Sequence, residues 1–526
     1  MRQAFRRVAV APQAQAKTRT KKFPAPVRGW IANENLAAPL PSGAGILINW
    51  FPTSTGIRLR KGSVKINEVA SGAALSMFTY VGGAGEKLFV SDATKILEIS
   101  NAMHADVVGQ TSGYYATAQF GTVGNDFLYA VNGTDSALLY DGTAWMPING
   151  TSTPSITGVE TSTFSHVWTY KNRLFFVQKG SRSAWCLPVD SIGGAAIEIS
   201  LAGVFQEGGS LLFGATWSLD AGNGPDEKCV FVSTKGEVAV FQGSDPSVST
   251  SWGIVGRYYL TRPLGQRATM RAGGDLLIAT EVGLIPISQA VAKDVAALSL
   301  ASVSRGIETE WQLEAVARQS GPWEILKWPG KKCAIVSMPM LSTETPYCFV
   351  VNLETGAWTK YAGWDPHCMA LYNGDAYFGT ADGRIMQMEV GSTDDGSGYY
   401  CDYTGLFDDL DAASATKVMR LGRATFRAVT PIISQLGAAF DYRNVTPSFP
   451  QGTPSSEVSG QWNTAIWDQS TWDAGGNKKI STRWLGIAGV GFVVAPSVRV
   501  LVNGGAAPDG ELISTEYTYE VGGVVV

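Results

Sequence analysis

Between Glu86 and Val390 one pattern of apolar and polar positions keeps returning. A polar or Gly-bearing turn leads into a short apolar run, and a second turn and strand follow. The runs begin at Leu88, Phe127, Leu174, Cys229, Leu276, Cys333 and Ala376, at intervals of 39 to 57 residues. They are rich in Val, Ile, Leu, Phe and Tyr and bounded by Gly, Asn and Asp, which predicts strands joined by tight turns. Units of roughly 40–50 residues are the spacing of β-propeller blades. The expected fold is therefore all-β, a β-propeller of about seven degenerate blade-like units over 86–399.

Within the units, Asp141-Gly142 and Thr355-Gly356 place a glycine where a hairpin needs positive φ. Each is followed by a tryptophan, Trp145 or Trp358, read as packing between blades. Ala290–Leu300 and Arg305–Ser320 have helical character, with Ser302 and Ser304 as candidate caps and Gly321-Pro322 as the stop. A helical insertion near 290–320 accounts for the widest interval.

Outside the repeats the pattern changes twice. Ile46–Gly62 reads as a strand ending at Pro52, a Thr-Ser-Thr-Gly turn, and a second strand in which apolar and basic residues alternate. Period two puts Ile57 and Leu59 on one face and Arg58 and Arg60 on the other, a solvated basic face. From Tyr400 onward, Val418–Val429, Arg483–Val494, Ser497–Val502 and Thr515–Val521 read as strands of a separate β-domain, 400–526. The 46–85 segment leads into the propeller and is the candidate joint to that domain. An apolar strand at Val524–Val526 would need a cover.

Charge sharpens the division. Residues 1–30 carry eight Lys or Arg and no acid, and the remainder holds 33 basic and 45 acidic side chains. A basic, Ala/Pro/Gln-rich segment over 1–45 on an acidic body is expected to be an extended arm that orders on a partner. Its arginines Arg2, Arg6 and Arg7 are not followed by the apolar core of a signal peptide. No apolar run reaches the ~18 residues of a membrane span. The six cysteines are scattered singly, several within apolar runs, and are expected to be buried thiols.

Catalytic patterns are sparse. None of the three histidines, His104, His166 and His367, lies in a metal or hydrolase motif. His367 neighbours Cys368, but adjacent side chains on a strand point to opposite faces, which excludes a direct dyad. Gly82-Gly83-Ala84-Gly85 precedes a strand and reads as a turn, since a phosphate cradle needs a following helix. Trp462, Trp467 and Trp472 are spaced by five residues, which alternates faces and favours anchoring over a glycan platform. The acids at 394–395 lack the spacing of a calcium loop. No enzyme activity, cofactor or metal is expected.

Asn49-Trp50-Phe51-Pro52 followed by Gly56-Ile57-Arg58-Leu59-Arg60-Lys61-Gly62 resembles the N-terminal signature of tail hub or nozzle proteins of short-tailed bacteriophages. Tyr377–Ile385 running into Thr393-Asp394-Asp395-Gly396, the Trp462 to Trp472 row, and the ending Tyr519–Gly523 agree with it. Ser392–Gly396 also partly resembles the Asp-box hairpin of sialidase-type propellers, without its Thr-Trp continuation. The hub resemblance implies a virion protein, assembled in the host cytoplasm as a homo-oligomer, usually a hexameric ring. It implies a portal-adaptor ring above, tail fibres or spikes as further partners, and packaged double-stranded DNA passing without specific binding. Arg58, Arg60 and Lys61, with Arg2, Arg6 and Arg7 of the arm, are the expected interface residues. A carbohydrate-binding or carbohydrate-active propeller and a cellular protein-interaction propeller are the alternatives.

Overall fold

The computed structural model describes residues 18–32, 42–448 and 478–524, apart from short breaks at 70–71, 84, 101–102, 219–226, 320, 342–344, 430–431, 445 and 505–507. Arg2, Arg6, Arg7, Lys17 and the Trp462–Trp472 row lie outside them. The described chain is predominantly β, and its antiparallel sheets follow one another around a ring, a β-propeller.

Six sheets come from consecutive strands. Blade 1 is Ser76–Gly82, Gly85–Ser91, Lys95–Glu98 and His104–Val108; blade 2 runs from Ala116–Gly121 to Trp145–Ile148. Blade 3 runs from Phe164–Tyr170 to Ile197–Ser200 and blade 4 from Leu211–Trp217 to Trp252–Tyr259. Blade 5 has three strands, Thr269–Ala272, Asp275–Thr280 and Gly283–Pro286, and blade 6 runs from Glu324–Trp328 to Trp358–Ala362. Cys368–Tyr372, Asp375–Gly379 and Arg384–Met388 then form a closing sheet, which Ser63–Glu68 completes from ahead of blade 1.

Each apolar run noted in the sequence is the second strand of its sheet. The runs are unbroken because both faces of these strands are buried against neighbouring sheets. Leu88 and Val90 pack toward the closing sheet, whereas Phe89 packs toward blade 2. Leu174 and Phe176 pack toward blade 2, while Phe175 and Val177 pack toward blade 4. Trp145 contacts Phe78 and Phe89 of blade 1, as expected of a residue packed between blades. All six cysteines are buried free thiols, and burial pushes Cys348 up to about 12.

The expected start of the ring at Glu86 is corrected by two strands. Ser76–Gly82 is the first strand of blade 1, and Ser63–Glu68 is the last strand of the closing sheet. The final unit is therefore composite, which internal periodicity could not reveal. Contact between Ser76–Gly82 and Cys368–Tyr372 shuts the circle. The insertion after blade 5 holds helices Ile287–Ala292 and Glu308–Ala317 linked by short 3₁₀ turns. Ser302 and Ser304 cap neither; they bond each other, and Ser304 accepts from the Leu284 N–H. Trp358 packs on Trp311 of this insertion and donates to the Val303 carbonyl.

The described strands of 400–526 are continuous with the propeller and do not stand apart from it as the separate domain expected. Ala44–Ile48 pairs parallel with Trp358–Ala362 of blade 6 and antiparallel with Tyr399–Gly405, so one eight-stranded sheet runs from the propeller into the C-terminal region. A seven-stranded sheet packs over its outer half. That second sheet contains the hairpin Trp50–Pro52 and Ile57–Leu59, the long strands Ala415–Ala428 and Glu511–Val524, and Lys479–Gly486. Tyr403, Val498 and Val500 from one layer meet Met419, Phe426 and Tyr517 from the other. The regularly placed arginines of Ala415–Ala428 pair across the ladder: Arg420 with Glu520, Arg423 with Glu516 and Arg427 with Glu511.

The arm is also corrected in part. Thr18–Pro24 lies antiparallel on the strand Glu511–Val524, opposite Ser514 to Glu520, while residues 525–526 of the apolar strand expected to need a cover lie outside the described residues. Lys21 reaches Asp411 at 3.3 Å, Lys22 lies 3.9 Å from Glu516, and Phe23 is buried edge-on against Tyr517. Opposite charge and an open strand edge within the same chain draw this part of the arm onto its own body. Phe23→Ala is expected to destabilise the protein by about 3–4 kcal/mol through the cavity it leaves, read as a lowered midpoint in urea unfolding. An unchanged midpoint would show that the strand contributes nothing to the body.

Candidate functional site

The hairpin bearing the hub-like signature sits where propeller and sandwich join. Trp50 points into the sandwich core and Phe51 into the cluster between blade 6 and the closing sheet, as successive strand residues must. Asn49 has φ 61° and ties three elements together. Its amide nitrogen donates to the Tyr400 carbonyl at 2.7 Å, and its oxygen accepts from the Ala362 N–H at 2.9 Å and Arg60 Nε at 2.8 Å. Two glycines of the signature are needed for close approach. A Cβ at Gly62 would stand 1.9 Å from the Thr393 carbonyl oxygen, and one at Gly56 would stand 2.5 Å from that of Leu512.

Arg60 overturns the expected solvated basic face. The strand ends at Leu59, and the Arg60 side chain turns inward, with 0% exposure. Nη1 and Nη2 bind the two Asp394 oxygens at 3.0 and 2.6 Å, and further bonds go to the Lys61 and Ala362 carbonyls, both at 2.9 Å. Its guanidinium lies 3.8 Å from the centre of the Tyr399 ring and 4.8 Å from that of Trp364. Trp364 Nε1 and Ser63 Oγ also donate to Asp394, at 2.9 and 3.1 Å. Burial opposes the charge, but Asp394 more than offsets it and holds Arg60 above its ordinary value. An inter-subunit role for Arg60 is excluded by its complete burial. Arg58 and Lys61 are half-buried: Arg58 lies over the Phe51 ring, and the Lys61 N–H donates to Glu389. The other expected interface residues, Arg2, Arg6 and Arg7, lie outside the described residues.

Beside this clasp, a cleft of about 350 Å³ opens between blade 6 and the closing sheet. Met340, Pro346, Phe378 and Met386 give it apolar walls, and Asp365, Asp382, Asp394 and Asp395 bring carboxylates to it. Hydrolysis of a glycoside would need one carboxyl held up as an acid and a second left free. Asp394 is bound to Arg60, while Arg384 bridges Asp382 at 2.9 Å and Asp395 at 3.2 Å. Burial would push Asp382 up, but hydrogen bonds from Thr380 and Arg384 hold its carboxyl below the usual range. The turn at Asp394–Gly396, partly like an Asp box, thus serves as the anchor for Arg60. His367 is 3.9 Å from Asp365, and Cys368 is buried toward the Ala74 carbonyl, so the two side chains diverge.

A second, largely buried guanidinium, absent from the sequence expectations, reaches across blades. Arg267, in the link between blades 4 and 5, donates to the Leu75 carbonyl at 3.1 Å, the Tyr115 carbonyl at 2.7 Å, Ser76 Oγ, and Glu324 at 3.0 Å. Blades 5 and 1 are not neighbours, so this side chain links non-adjacent blades. Glu324 also accepts the Met369 N–H of the closing sheet at 2.8 Å. Burial works against the Arg267 charge, but Tyr114 and Glu324 hold the guanidinium above its ordinary value. Nearby, His166 donates Nε2–H to the Gly214 carbonyl, the tautomer that bond requires, and Nδ1 is buried without a partner. Burial pulls His166 down to about 4, and the Arg267 charge acts in the same sense.

Two outcomes follow. Asp394→Asn should cost about 3–5 kcal/mol by stranding a buried charge, whereas Arg60→Met with Asp394→Leu should recover much of it. Chemical denaturation of the single and double variants measures the coupling; additive losses would show that no clasp exists. The unfolded chain protonates His166 near pH 6.5, but the folded chain does so near 4. Its contribution is full above 6.5 and is lost as pH falls toward 4, on the order of 3 kcal/mol. His166→Gln should flatten that part of the stability–pH curve.

No family model matches this chain, and no curated protein does. Among solved structures, it is similar to the Cps50 (Swd1) β-propeller domain from Myceliophteria thermophila at 11% identity, covering 62% of this chain and 99% of that one, with a TM-score of 0.38. BBS1N in complex with ARL6DN gives 10% identity over 63% of this chain and 98% of that one, with a TM-score of 0.38. YCF48 bound to D1 peptide gives 10% identity over 63% and 95%, with a TM-score of 0.35. At this level of likeness the propeller assignment rests on the sheets and their pairing.

Proposed function

We propose that this chain is a structural β-propeller that acts by docking other protein chains, without a reaction centre of its own. The observation that carries this reading is the Arg60–Asp394 clasp beside the cleft. Three of the cleft's four carboxylates, Asp382, Asp394 and Asp395, are bound to intramolecular guanidinium groups, and the Arg60 bonds also lock propeller to sandwich. Such a body suits the transmission of force or position between partners. Among the described residues no helix is long and apolar enough to cross a membrane.

In its narrower form, the chain is a subunit of a tail nozzle ring in a short-tailed bacteriophage, a homo-oligomer below the portal-adaptor that anchors fibres or spikes. Support comes from the signature residues: Asn49, Trp50, Phe51, Gly56, Arg60 and Gly62 all build the propeller–sandwich joint. A signature that encodes a joint marks an architecture. In this form the DNA would pass between subunits, along an axis outside each ring of blades.

Quantitative peptide mass spectrometry of purified virions tests the narrower form. About half a copy per portal subunit is expected for a hexamer under a dodecamer. Absence from purified particles would remove the virion role and leave the general docking reading. Saturable glycan binding at the cleft that is abolished by Asp365→Asn would overturn the docking reading in favour of a carbohydrate propeller.

A further inference from the structure

The outer edge of blade 1 carries a mixed nitrogen and oxygen cluster that none of the preceding roles uses. Glu98 closes the strand Lys95–Glu98 and stands opposite His104, the first residue of His104–Val108. Two residues on, Asp106 lies on the same side of the strand as His104. Opposite Ile96 and Leu97 the register slips by one residue, which leaves Asp106 as the unpaired residue of a bulge. His104 Nε2 is 2.7 Å from Asp106 Oδ1 and 3.9 Å from Glu98 Oε2, and the three donor atoms all lie within 4.8 Å of one another.

Burial is graded across the cluster. The Glu98 side chain is 5% exposed, Asp106 14% and His104 58%, so two carboxylates form the floor and the imidazole covers them from solvent. Ser100 Oγ donates to Glu98 Oε1 at 2.8 Å and fixes the carboxylate plane, leaving Oε2 toward His104. Lys87 is the competing cation, 3.3 Å from Glu98 Oε2. It has an alternative partner, since its ammonium also donates to Tyr140 OH at 2.6 Å. One ammonium beside two carboxylates leaves a negative charge, and a neutral imidazole supplies the third donor.

We propose that Glu98, His104 and Asp106 form a binding site for one divalent transition-metal ion, with Zn²⁺ the first to test, on the outer edge of blade 1. One imidazole nitrogen with two carboxylate oxygens suits Zn²⁺ or Mn²⁺ and lacks the softness for copper(I). Tetrahedral donors at about 2.0–2.1 Å from zinc stand roughly 3.3 Å apart. The observed separations bracket that value, so small side-chain rotations close the set. The fourth position faces solvent on the His104 side and is open to water or to a carboxylate or imidazole of a docking partner. The ion would staple the two outer strands of the blade.

The background for a test is low. The chain has three histidines, and its cysteines are buried. Calorimetric titration of the full chain, without a histidine tag, with Zn²⁺, and Co²⁺ absorption spectra as a coordination probe, should show one equivalent bound. His104→Ala and Asp106→Asn should each weaken binding at least roughly tenfold. His104 is exposed, and unchanged circular dichroism and melting without metal would confirm that its variant folds. Lys87→Met should tighten binding by removing the competing ammonium, a gain that a salt-bridge network without metal would not show. The proposal is overturned if Zn²⁺ does not bind, if His104→Ala binds as the parent does, or if His367→Ala is the variant that loses the ion.

Discussion

A guanidinium sealed from water must take its counter-charge and hydrogen-bond acceptors inside with it, and much of this architecture is arranged around that requirement. Arg60 needs Asp394 from the turn after the closing sheet, the Ala362 carbonyl from the end of blade 6, and Asn49 from the strand that leads into the hairpin. No one of these elements can shift without stranding a charge. The propeller's last two sheets, the hairpin and the start of the sandwich therefore move as one. The parallel pairing of Ala44–Ile48 with blade 6 adds backbone continuity at the same place.

Arg267 applies the same rule between blades. Its acceptors come from blade 1, the link to blade 2, and blade 6, so the charge is satisfied only when the circle is shut. Ser63–Glu68 shuts it from outside by completing the last sheet with a strand from the chain's early part. Closure is thereby coupled to the N-terminal segment, whose next upstream element is the hairpin held by Arg60. The apolar clusters between blades supply the bulk of the burial, while the two arginines decide register and closure.

This economy bears on function. A cleft rich in aspartates invites a catalytic reading, but carboxylates bound to arginine are poor general acids, and Asp382 is held in its charged form. What the surface offers is sheet edges, the apolar side chains of the helical insertion such as Leu313 and Val316, and the cluster on blade 1. These are features by which a protein meets other proteins or ions.

The sequence by itself determined the all-β propeller, the position of each blade's second strand, the helical insertion and the burial of the cysteines. Those properties depend on local periodicity and turn chemistry, which are written in runs of a few residues. It also marked Arg60 and Asp394 separately, one as a basic face and one as a turn. Their union could not be read, because they are 334 residues apart and strand alternation predicts a solvated Arg60 only if the strand continues past Leu59. Arg267 carried no local signal, since an arginine in a linker looks the same whether it faces water or two carbonyls, a hydroxyl and a carboxylate. The composite closing sheet, the shared eight-stranded sheet and the folding of Thr18–Pro24 onto its own body were likewise decided in three dimensions. Strand edges select partners by distance and register in the folded chain, and neither quantity exists along a sequence.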